Sequence, residues 1–594
     1  MNKHPEFLLN KIESPKDLKK LDLKELEKLA SEIRTLILEK DAAEGGHLGP
    51  DLGIVEATIA YHYVFDAPKD KIIWDVSHQT YPHKMLTGRA YAWLDPDKYE
   101  DVTPYSNPDE SPYDYYAVGH TSTSVALATG MARARDMMGK HENITALIGD
   151  GSLTGGLAFE GFNNAADEKH NLIIVVNDNQ MSIDDNVGGV VTALKKLRES
   201  NGQAEDNPFT AMGLDYKYVG QGNDIKSMID AFKAVKDIDH PIVLHINTLK
   251  GKGYEPAVEN EASHHWVLPF DLKTDKTTVP APKTPNASTV ILDLLKKHIE
   301  NQENILAINA AIPGVFGLGE IKKNYPKNYK DVGIAEQESV AFAAGAVKEG
   351  ITPVLFENST FLQRAYDQIN HDVARMDLPV VIGIDRCGLV GEDGETHHGV
   401  FDITMLRSIP NMILSQPKDA IEAQNLMYTA FMQSHPFTIR YPRGNTPYQK
   451  LKHYTPLEIG SWTSWQMDTY EVIIITYGPD VDRIISKAKV NQLPVRVVNA
   501  RFFKPIDTMM LEEICAQKKP VIIYESDMLA GGLSSAILEY VNDHHLATEF
   551  IRLGIRDHYV THGSLPQLRK LEHLDINSLC ELILDLIKEK HHAN

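Results

Sequence analysis

The residues best suited to chemistry in this chain are an aspartate between two glycines and an Asn-Asp-Asn triplet further along. Asp150 lies in the GDGS segment 149–152, directly after the apolar run 144–148, and Asn179 ends the triplet that follows the apolar run 172–176. A glycine-flanked turn at the carboxyl end of a strand, opening a helix, is where α/β sheets bind phosphate. Carboxylate and amide oxygens are hard ligands for Mg²⁺, and a diphosphate can fill further positions. GDG alone would be an ordinary tight turn, but the two segments together predict a magnesium and diphosphate site.

A parallel sheet is needed to bring these residues together, and the chain has that pattern. Short apolar runs alternate with helical segments, which is typical of doubly wound sheets. The runs lie at 144–148, 172–176, 242–246, 354–356, 380–384, 472–475, 495–498 and 521–524. An opening helix is predicted with Ser14 as N-cap and Pro15 at its first position. It continues through apolar residues at helical spacing, namely Leu26, Leu29, Ala30, Ile33 and Ile37.

The pattern repeats three times, so we predict an α/β fold with three domains in series. The first domain covers 1–271, and the Lys-, Thr- and Pro-rich stretch 272–288 is a linker. The second and third domains cover 289–448 and 457–594, separated by a shorter polar connection. The sequence shows no short-period repeat and no low-complexity tract.

Composition excludes several classes of protein. The chain has 594 residues with 60 Lys+Arg against 82 Asp+Glu, a net charge of −22 that argues against nucleic acid or an anionic membrane as the main partner. Three widely spaced cysteines exclude a disulfide framework and fit a reducing cytoplasm. No apolar run predicts a signal peptide or a membrane span. The acidic balance raises a question, because an anionic substrate would need a locally basic site.

The motifs resemble known ones. The GDG and Asn179 pair is similar to the signature of thiamine diphosphate enzymes. Longer segments resemble the 1-deoxy-D-xylulose-5-phosphate synthase family, in order and over essentially the whole chain. They are GGHLGPDLG (45–53), WDVSHQTYPHKMLTGR (74–89), VGHTSTS (118–124), NDNQMSIDDNVG (177–188), KGKGYEPA (250–257), DVGIAEQ (331–337), STFLQRAYDQ (359–368), GEDGETHHGVFD (391–402) and RYPRGN (440–445).

This resemblance implies an activity. The expected reaction is the condensation of pyruvate with D-glyceraldehyde 3-phosphate, which releases CO₂ and forms 1-deoxy-D-xylulose 5-phosphate for isoprenoid and thiamine biosynthesis. The expected cofactors are thiamine diphosphate and Mg²⁺, in a cytoplasmic homodimer. The first two domains would be the diphosphate- and pyrimidine-binding domains, with the active site between them. The third, with RFFKP at 501–505, is similar to a transketolase C-terminal domain.

Glu336 is the predicted catalytic carboxylate. It precedes the small-residue helical stretch 339–347 and matches the glutamate that hydrogen-bonds the aminopyrimidine ring of the cofactor. Deprotonating the thiazolium carbon needs an internal base, and a proton shared between a carboxyl and the pyrimidine makes one. Burial should raise the carboxyl pKa and make sharing easier. A lone glutamate at a helix start usually only meets the helix dipole.

The remaining site residues follow from the same resemblance. The metal ligands are expected to be Asp150, Asn179 and the carbonyl of Met181, and the phosphate of the acceptor is expected on Arg386 and Arg443. The cofactor is expected to contact His78, Gly119, His120, Thr121, Gly151, Ser152, Asn179, Tyr254, Glu336 and Phe361. The groups expected around the reacting carbons are His47, His265, Asp393 and His397.

The histidines leave alternatives open. His264 is adjacent to His265, and His398 to His397, so each assignment could slip by one residue. His83 is better explained as a packed or surface histidine than as a functional one. A metal pair formed with His78 is disfavoured because no third ligand is near.

Several positions depart from the family pattern. The connection 189–214 is short where many relatives carry an insertion over the active site, which leaves lid behaviour open. Gln221-Gly222-Asn223 and Asn358 replace other residues, and Gly49-Pro50-Asp51 replaces serines beside His47. Asp51 is expected to place a negative charge near the anionic substrate and so to shift substrate preference.

Two rival functions remain at this stage. A related transketolase-type enzyme would use the same cofactor with another donor or acceptor, and the phosphate-binding arginines do not separate the two. A non-catalytic thiamine-binding protein is disfavoured because Glu336, Asp150, Asn179 and Arg386 are all present.

Overall fold

The computed structural model describes residues 2–169, 171–181, 186–314, 316–391 and 393–593. The chain divides into two compact units. The first comprises Met1–Ala281 with Gly333–Ala335, and the second comprises Pro282–Val332 with Glu336–Asn594. No helix in the described ranges is both long enough and apolar enough to cross a bilayer.

The first unit is built on one parallel sheet. Its strands are β1 (Lys71–Trp74), β2 (Ile144–Gly149), β3 (Leu172–Asp178), β4 (Asp215–Val219) and β5 (Pro241–Asn247), with a small hairpin of β6 (Phe270–Asp271) and β7 (Lys276–Thr277). Its helices are α1 (Pro15–Leu18), α2 (Leu23–Glu44), α3 (Leu48–Gly53), α4 (Val55–Val64), α5 (Tyr81–Lys84), α6 (Tyr91–Leu94), α7 (Ser124–Met137), α8 (Gly156–Ala166), α9 (Gly189–Glu199), α10 (Pro208–Ala211), α11 (Ile225–Val235) and α12 (Glu255–Glu259). The strand order β1-β2-β3-β5-β4 is parallel throughout.

The apolar runs of the sequence become the central strands of this sheet because both faces are covered. Side chains alternate between the two faces of a strand. In β3, Ile173 and Val175 pack into one hydrophobic cluster, while Ile174 and Val176 pack into another. A strand buried on both faces is apolar at nearly every position, as the sequence shows.

The opening of the chain corrects one prediction. Ser14 and Pro15 begin only the short helix α1, which ends at Leu18, and a second helix starts at Leu23. Asp22 caps that second helix: its carboxylate accepts from the amide of Glu25 at 2.9 Å, and Glu25 accepts from the amide of Asp22 at 2.9 Å. This reciprocal capping box starts a new helix and breaks the predicted single one. The apolar positions of the prediction are buried in α2.

The second unit carries two sheets. Its strands are β8 (Ile305–Asn309), β9 (Tyr329–Asp331), β10 (Thr352–Asn358), β11 (Val381–Cys387), β12 (Ile413–Ser415), β13 (Phe437–Pro442), β14 (Thr463–Gln466), β15 (Val472–Thr476), β16 (Val495–Asn499), β17 (Phe502–Lys504), β18 (Val521–Met528) and β19 (Phe550–Ile555). Its helices are α13 (Leu292–Glu300), α14 (Gly319–Asn324), α15 (Glu336–Lys348), α16 (Ser359–Leu362), α17 (Tyr366–Gln368), α18 (Asp402–Arg407), α19 (Ala420–Ala430), α20 (Asp480–Asn491), α21 (Thr508–Ala516), α22 (Leu533–Asp543), α23 (Leu565–Leu571) and α24 (Ile576–Ala593).

The two sheets of this unit are joined. The larger has the order β17-β12-β13-β11-β10-β8-β9 and the smaller has the order β14-β16-β15-β18-β19. The larger is parallel except for β17, which follows β16 of the smaller sheet in the chain and pairs antiparallel with β12. One hydrophobic cluster includes residues of both sheets. The predicted α/β class with several domains is confirmed.

Candidate active site

The edge formed by β2 and β3 carries the predicted metal ligands. Gly149 pairs with Asn177 across the two strands, and the amide of Asp150 donates to the carbonyl of Asn177 at 3.1 Å. The carboxylate of Asp150 accepts from the amide of Gly151 and from the side chain of Asn186, each at 3.0 Å. The side-chain oxygen of Asn179 accepts from the amide of Met181 at 3.3 Å. Four residues of this loop, 182–185, lie outside the described ranges.

Asp150 is buried, and its charge state depends on what lies beside it. Burial raises the pKa of its carboxyl well above the usual value, and the nearby Asp178 raises it further. A bound cation would reverse this by favouring the ionised form. Lys250 is a buried cation in the same region: burial lowers its pKa to about 8, while Asp150 and Glu261 oppose that change. The sequence analysis included Lys250 only as a member of the segment KGKGYEPA. The burial of its side chain depends on the tertiary structure and could not be predicted.

A buried network below this loop was not predicted. Asp178, the last residue of β3, accepts from Arg198 and from Nε2 of His245 at 2.9 Å. The other ring nitrogen of His245 lies 2.8 Å from the hydroxyl of Tyr216. Burial opposes ionisation of Asp178, but the hydrogen bonds from His245 and Arg198 hold its pKa below the usual value. The network therefore ties α9, which follows the metal loop, to the end of the central strand.

Three loops with predicted cofactor contacts are held together by Asp75. Its buried carboxylate accepts from the amides of Ser122 and Ser124 at 2.8 and 3.0 Å, so the loop that carries His78 is tied to the loop 118–124. That second loop contains Gly119, His120 and Thr121. The hydroxyl of Ser122 donates to the carbonyl of Ser152 at 2.8 Å, which adds the Gly151 and Ser152 turn.

Three of the predicted histidines come together in this unit. Measured between ring centres, His47 lies 5.2 Å from His78 and 5.8 Å from His265, and His78 stacks on His265 at 5.4 Å. Tyr105, which the sequence analysis missed, lies 5.9 Å from His47. Burial lowers the pKa of His78 well below the usual value, and His47 and Lys250 add to this effect. His78 is therefore a neutral imidazole at physiological pH.

Backbone pairing brings the histidines together. Gly46 and Val267 exchange hydrogen bonds of 3.1 and 2.9 Å, and the amide of Gly49 donates to the carbonyl of His264 at 2.8 Å. The side chain of His264 is bound elsewhere, with Nε2 at 3.0 Å from Asp275. His265 is the ring that packs with His47 and His78, so the geometry favours the assignment to His265.

Tyr254 belongs with the His264 group. Its hydroxyl donates to Asp275 at 2.9 Å, and its ring lies 6.1 Å from that of His264. The predicted contact between Tyr254 and a cofactor remains a prediction. Asp275 joins the two rings to the β6–β7 hairpin, at the start of the predicted linker.

His83 is a packed histidine, which is one of the two non-functional roles that the sequence analysis preferred for it. Its ring is buried between His62, at 2.9 Å, and Asp114, at 2.9 Å, and Asp114 also receives two hydrogen bonds from Arg89. These partners satisfy both ring nitrogens. In the described ranges, no group of three His, Cys, Asp or Glu residues is arranged to hold a metal.

The environment of Asp51 differs from the one that was expected from the sequence. Its side chain is fully buried and accepts from the amide of Tyr81 at 2.9 Å. Burial raises the pKa of its carboxyl well above the usual value, and Asp41 raises it further. Burial of Asp51 therefore argues against an exposed negative charge at this position, because removing a carboxyl from water favours its protonated form.

The burial of Asp41 predicts how the stability of the protein depends on pH. Both carboxylate oxygens are buried without a hydrogen-bond partner among the described residues, and burial raises the pKa to about 8. Because the folded state holds this proton more tightly than the unfolded state, stability should fall as pH rises from about 4 to 8. The loss is on the order of 5 kcal/mol for four pH units. Asp41→Asn should remove that part of the slope in thermal unfolding measured at pH 5 and pH 8.

The control for this prediction lies on the same helix. Asp22→Asn makes the same change in charge at an exposed N-cap, where asparagine also caps well. Asp41→Asn should change the slope more than this control does, because only Asp41 is buried. Equal slopes for Asp41→Asn and the parent would contradict the prediction.

Glu336 begins α15 in the second unit and is buried there beside a second carboxyl. The hydroxyl of Ser339 donates to the carbonyl of Glu336 at 2.8 Å and to the carboxyl of Glu357 at 3.1 Å. Burial raises the pKa of Glu336, while Arg364, at 3.6 Å from Oε2, opposes the rise. Burial and the proximity of Glu336 raise the pKa of Glu357 well above the usual value.

Phe361 and His397 are brought together. Phe361 lies in α16, after β10, and the centre of its ring is 5.7 Å from that of His397 in an edge-on arrangement. His398 is buried elsewhere, with Nδ1 accepting from the amide of Val390 at 3.1 Å and Nε2 at 3.0 Å from the carbonyl of Thr561. The geometry therefore favours His397 over His398. Asp393 precedes the short turn that leads to His397.

The two predicted phosphate-binding arginines lie near one acidic residue. Burial raises the pKa of Asp385 to about 7, and the positive charges of Arg386 and Arg443 both oppose this rise. Arg386 has a left-handed backbone, with φ of 55°. Arg443 follows β13 and donates to the carbonyl of Val390. The positive charge that the acidic chain lacks overall is thus present locally.

The acidic residues that the sequence analysis missed share one feature of the sequence, which is their position after apolar residues. Asp75, Glu357 and Asp385 each stand at the end of an apolar run that becomes a buried strand. A carboxyl in that place loses its water and must find a partner. The sequence shows where such residues are but not what they contact.

Comparison with known proteins assigns the chain to a family. A family model described as 1-deoxy-D-xylulose-5-phosphate synthase matches residues 9–206. The synthase of that name from Listeria monocytogenes serotype 4b is 42% identical, covering 94% of this chain and 93% of its own. The chain belongs to the 1-deoxy-D-xylulose-5-phosphate synthase family. The namesake from Shouchella clausii is 38% identical, covering 98% of this chain and 99% of its own.

Two further family models match later parts of this synthase-family chain. Models of the transketolase pyrimidine-binding and C-terminal domains match residues 283–449 and 465–579. Solved transketolases from Leishmania mexicana and Campylobacter jejuni each cover 95% of this chain, at 16% and 17% identity. Their TM-scores of 0.44 and 0.43 are too low to support any inference.

The synthase family is dependent on thiamine diphosphate, and the residues of this chain fit that cofactor. Nδ1 of His78 is buried and makes no hydrogen bond to any described residue, while Oε2 of Glu336 is buried with the Arg364 guanidinium near it, at 3.6 Å. An unsatisfied buried polar atom is costly, and a bound polar group would remove that cost. Asp150 and Asn179 supply the oxygen donors that suit Mg²⁺. The predicted contacts of the individual site residues remain predictions.

Proposed function

We propose that this chain catalyses the thiamine-diphosphate- and Mg²⁺-dependent condensation of pyruvate with D-glyceraldehyde 3-phosphate. The products would be 1-deoxy-D-xylulose 5-phosphate and CO₂, the first step towards isoprenoid precursors. Membership of the synthase family over the length of the chain carries the proposal. We also propose a cytoplasmic homodimer, which rests on the family resemblance alone.

The first unit would supply the groups that bind the metal and the diphosphate, and the second unit would supply a group that packs against the pyrimidine ring. Asp150, Asn179 and the carbonyl of Met181 would hold Mg²⁺. The three loops joined by Asp75 would hold the diphosphate, with amides at the start of a helix favouring its charge. Phe361 would pack against the pyrimidine ring. Thiamine diphosphate supplies an electron sink that allows a 2-oxo acid to lose CO₂ and the remaining carbons to add to an aldehyde.

Glu336 would hold a proton for the reaction. Its buried Oε2, with a raised pKa, is suited to share that proton with a ring nitrogen of the pyrimidine. Sharing becomes efficient when the carboxyl is neither fully ionised nor fully protonated at working pH. Arg364 keeps the carboxyl from becoming too weak an acid.

The polar groups around the reacting carbons would bind charge and transfer protons. His47 and His265, packed with His78, can bind the pyruvate carboxylate and donate to a developing alkoxide. Asp393 and His397 are proposed to assist proton transfer when the new carbon–carbon bond forms. Arg386 and Arg443 would bind the phosphate of the aldehyde, because guanidinium forks match phosphate in charge and geometry.

The direct test supplies purified protein with cofactor, Mg²⁺, pyruvate and D-glyceraldehyde 3-phosphate. We expect CO₂ release and a five-carbon deoxyketose phosphate, both dependent on pyruvate. A transketolase-type activity would instead consume a ketose phosphate and ignore pyruvate. Absence of CO₂ in the complete mixture would overturn the proposal.

A further inference from the structure

Arg440 is an almost fully buried cation in the second unit, and the proposed reaction gives it no role. It lies on β13 with about 1% of its surface exposed. Its guanidinium donates to Asp402 at 2.7 and 2.9 Å, to Asp527 at 2.6 Å and to the side chain of Gln416. Tyr477 donates its hydroxyl to the second oxygen of Asp527. A buried charge with this many bonds is held in one position.

The partners of Arg440 come from both sheets of the unit. Asp402 opens α18 and Gln416 follows β12, both on the side of the larger sheet. Asp527 belongs to β18, and Tyr477 follows β15, both in the smaller sheet. Removing one partner of a buried charge is costly, since the charge that remains cannot be solvated. The smaller sheet therefore helps to fix a residue on a strand of the larger sheet.

The network is connected through the chain to the two predicted phosphate-binding arginines. Arg443 is three residues after Arg440, and Cys387 follows Arg386. The thiol of Cys387 donates to Asp402 at 3.5 Å. The pairing of β11 with β13 shifts register between Ile384 and Cys387, so Arg386 lies in an irregular stretch of the strand.

We propose that Asp527 is a positioning residue for the phosphate of the acceptor, acting through Arg440 and Asp402 on Arg386 and Arg443. This proposal rests on the proposed function, in which those two arginines bind the phosphate. It gives the smaller sheet a part in substrate recognition. It also restricts the effect to acceptors that carry a phosphate.

The test compares two acceptors in the holoenzyme. With Asp527→Ala, we expect the KM for D-glyceraldehyde 3-phosphate to rise about ten- to a hundredfold, the cost of a slightly displaced binding group. The kcat and the KM for pyruvate should stay within about twofold, and kcat/KM for unphosphorylated D-glyceraldehyde should not change. Asp527→Asn keeps an acceptor for Arg440 and should restore most of the affinity.

The matched control is Glu525, two residues earlier on the same strand. Its buried carboxyl accepts from the amides of Leu533 and Ser534 at 2.9 and 3.2 Å and does not contact Arg440. Glu525→Gln should leave the preference for the phosphorylated acceptor as in the parent enzyme. If Asp527→Ala does not fold, Tyr477→Phe removes only the hydroxyl that orients Asp527, and it should raise the same KM by a smaller factor.

The possible results of these experiments distinguish failure of this proposal from failure of the proposed function. A selective loss for the phosphorylated acceptor supports the proposal. An equal loss for both acceptors, or no loss in any folded variant, overturns it. Failure of the parent enzyme to release CO₂ would overturn the proposed function instead.

Discussion

Replacing Glu336 by glutamine is expected to lower kcat by about 10²- to 10⁴-fold, the usual contribution of a positioned acid or base. Glutamine keeps the shape of the side chain and its hydrogen-bonding carbonyl, but it cannot exchange a proton. The buried Oε2 of Glu336, which lies 3.6 Å from the Arg364 guanidinium, is the atom at which that exchange would occur. Steady-state release of CO₂ measures the change, and calorimetry with the cofactor shows whether binding is kept.

Glu357 provides the control for this substitution. It is buried beside Glu336, and its carboxyl should be protonated at neutral pH because burial raises its pKa so strongly. Glu357→Gln therefore replaces one neutral group by another of the same shape and should keep most of the activity. Activity of Glu336→Gln within twofold of the parent, with the cofactor bound, would remove the proposed proton transfer.

Replacing Asp150 by asparagine is expected to weaken Mg²⁺-dependent binding of thiamine diphosphate by about 100-fold or more. Loss of a group that only supports a metal ligand already costs 10- to 100-fold, and Asp150 is predicted to be a ligand itself. Asparagine keeps an oxygen donor but removes the negative charge that compensates the cation. Titration of Mg²⁺ against the protein with fixed cofactor, followed by calorimetry, measures the shift.

Asn186 gives a graded comparison for Asp150. Its side chain donates to Asp150 at 3.0 Å, so Asn186→Ala removes one orienting hydrogen bond and leaves the charge. We expect it to weaken the same binding by less than Asp150→Asn does. The metal assignment would be wrong if Asp150→Asn titrated like the parent.

Much of the scaffold could be predicted from the sequence because it depends on local pattern. The apolar runs around 144–148 and 172–176 are strands since both faces of the sheet are covered, and this leaves a signature in every residue of the run. Residues 156–166 form the predicted helix after GDGS. The single opening helix was wrong because a second capping box, at Asp22 and Glu25, restarts the helix.

The sequence allowed a set of candidate site residues to be predicted, but not the environment of each side chain. Motif order pointed to His47, His78 and His265, and the structure brings these three rings together. Adjacent residues could not be separated in this way, since neighbours in sequence can point in different directions. His265 over His264, and His397 over His398, are distinguished only by the partners that each ring meets.

The net charge of −22 is a property of the whole chain and does not describe the charge at one site, because local charge depends on the fold. By itself, the sequence determined the α/β class and the family, and it predicted residues for binding diphosphate, metal and phosphate that remain predictions. Only the tertiary structure decided that Asp51 is buried, that Glu357 lies beside Glu336, and that Arg440 is fixed by both sheets. The physical reason is that side-chain chemistry depends on burial and on neighbours, and these neighbours are distant in sequence.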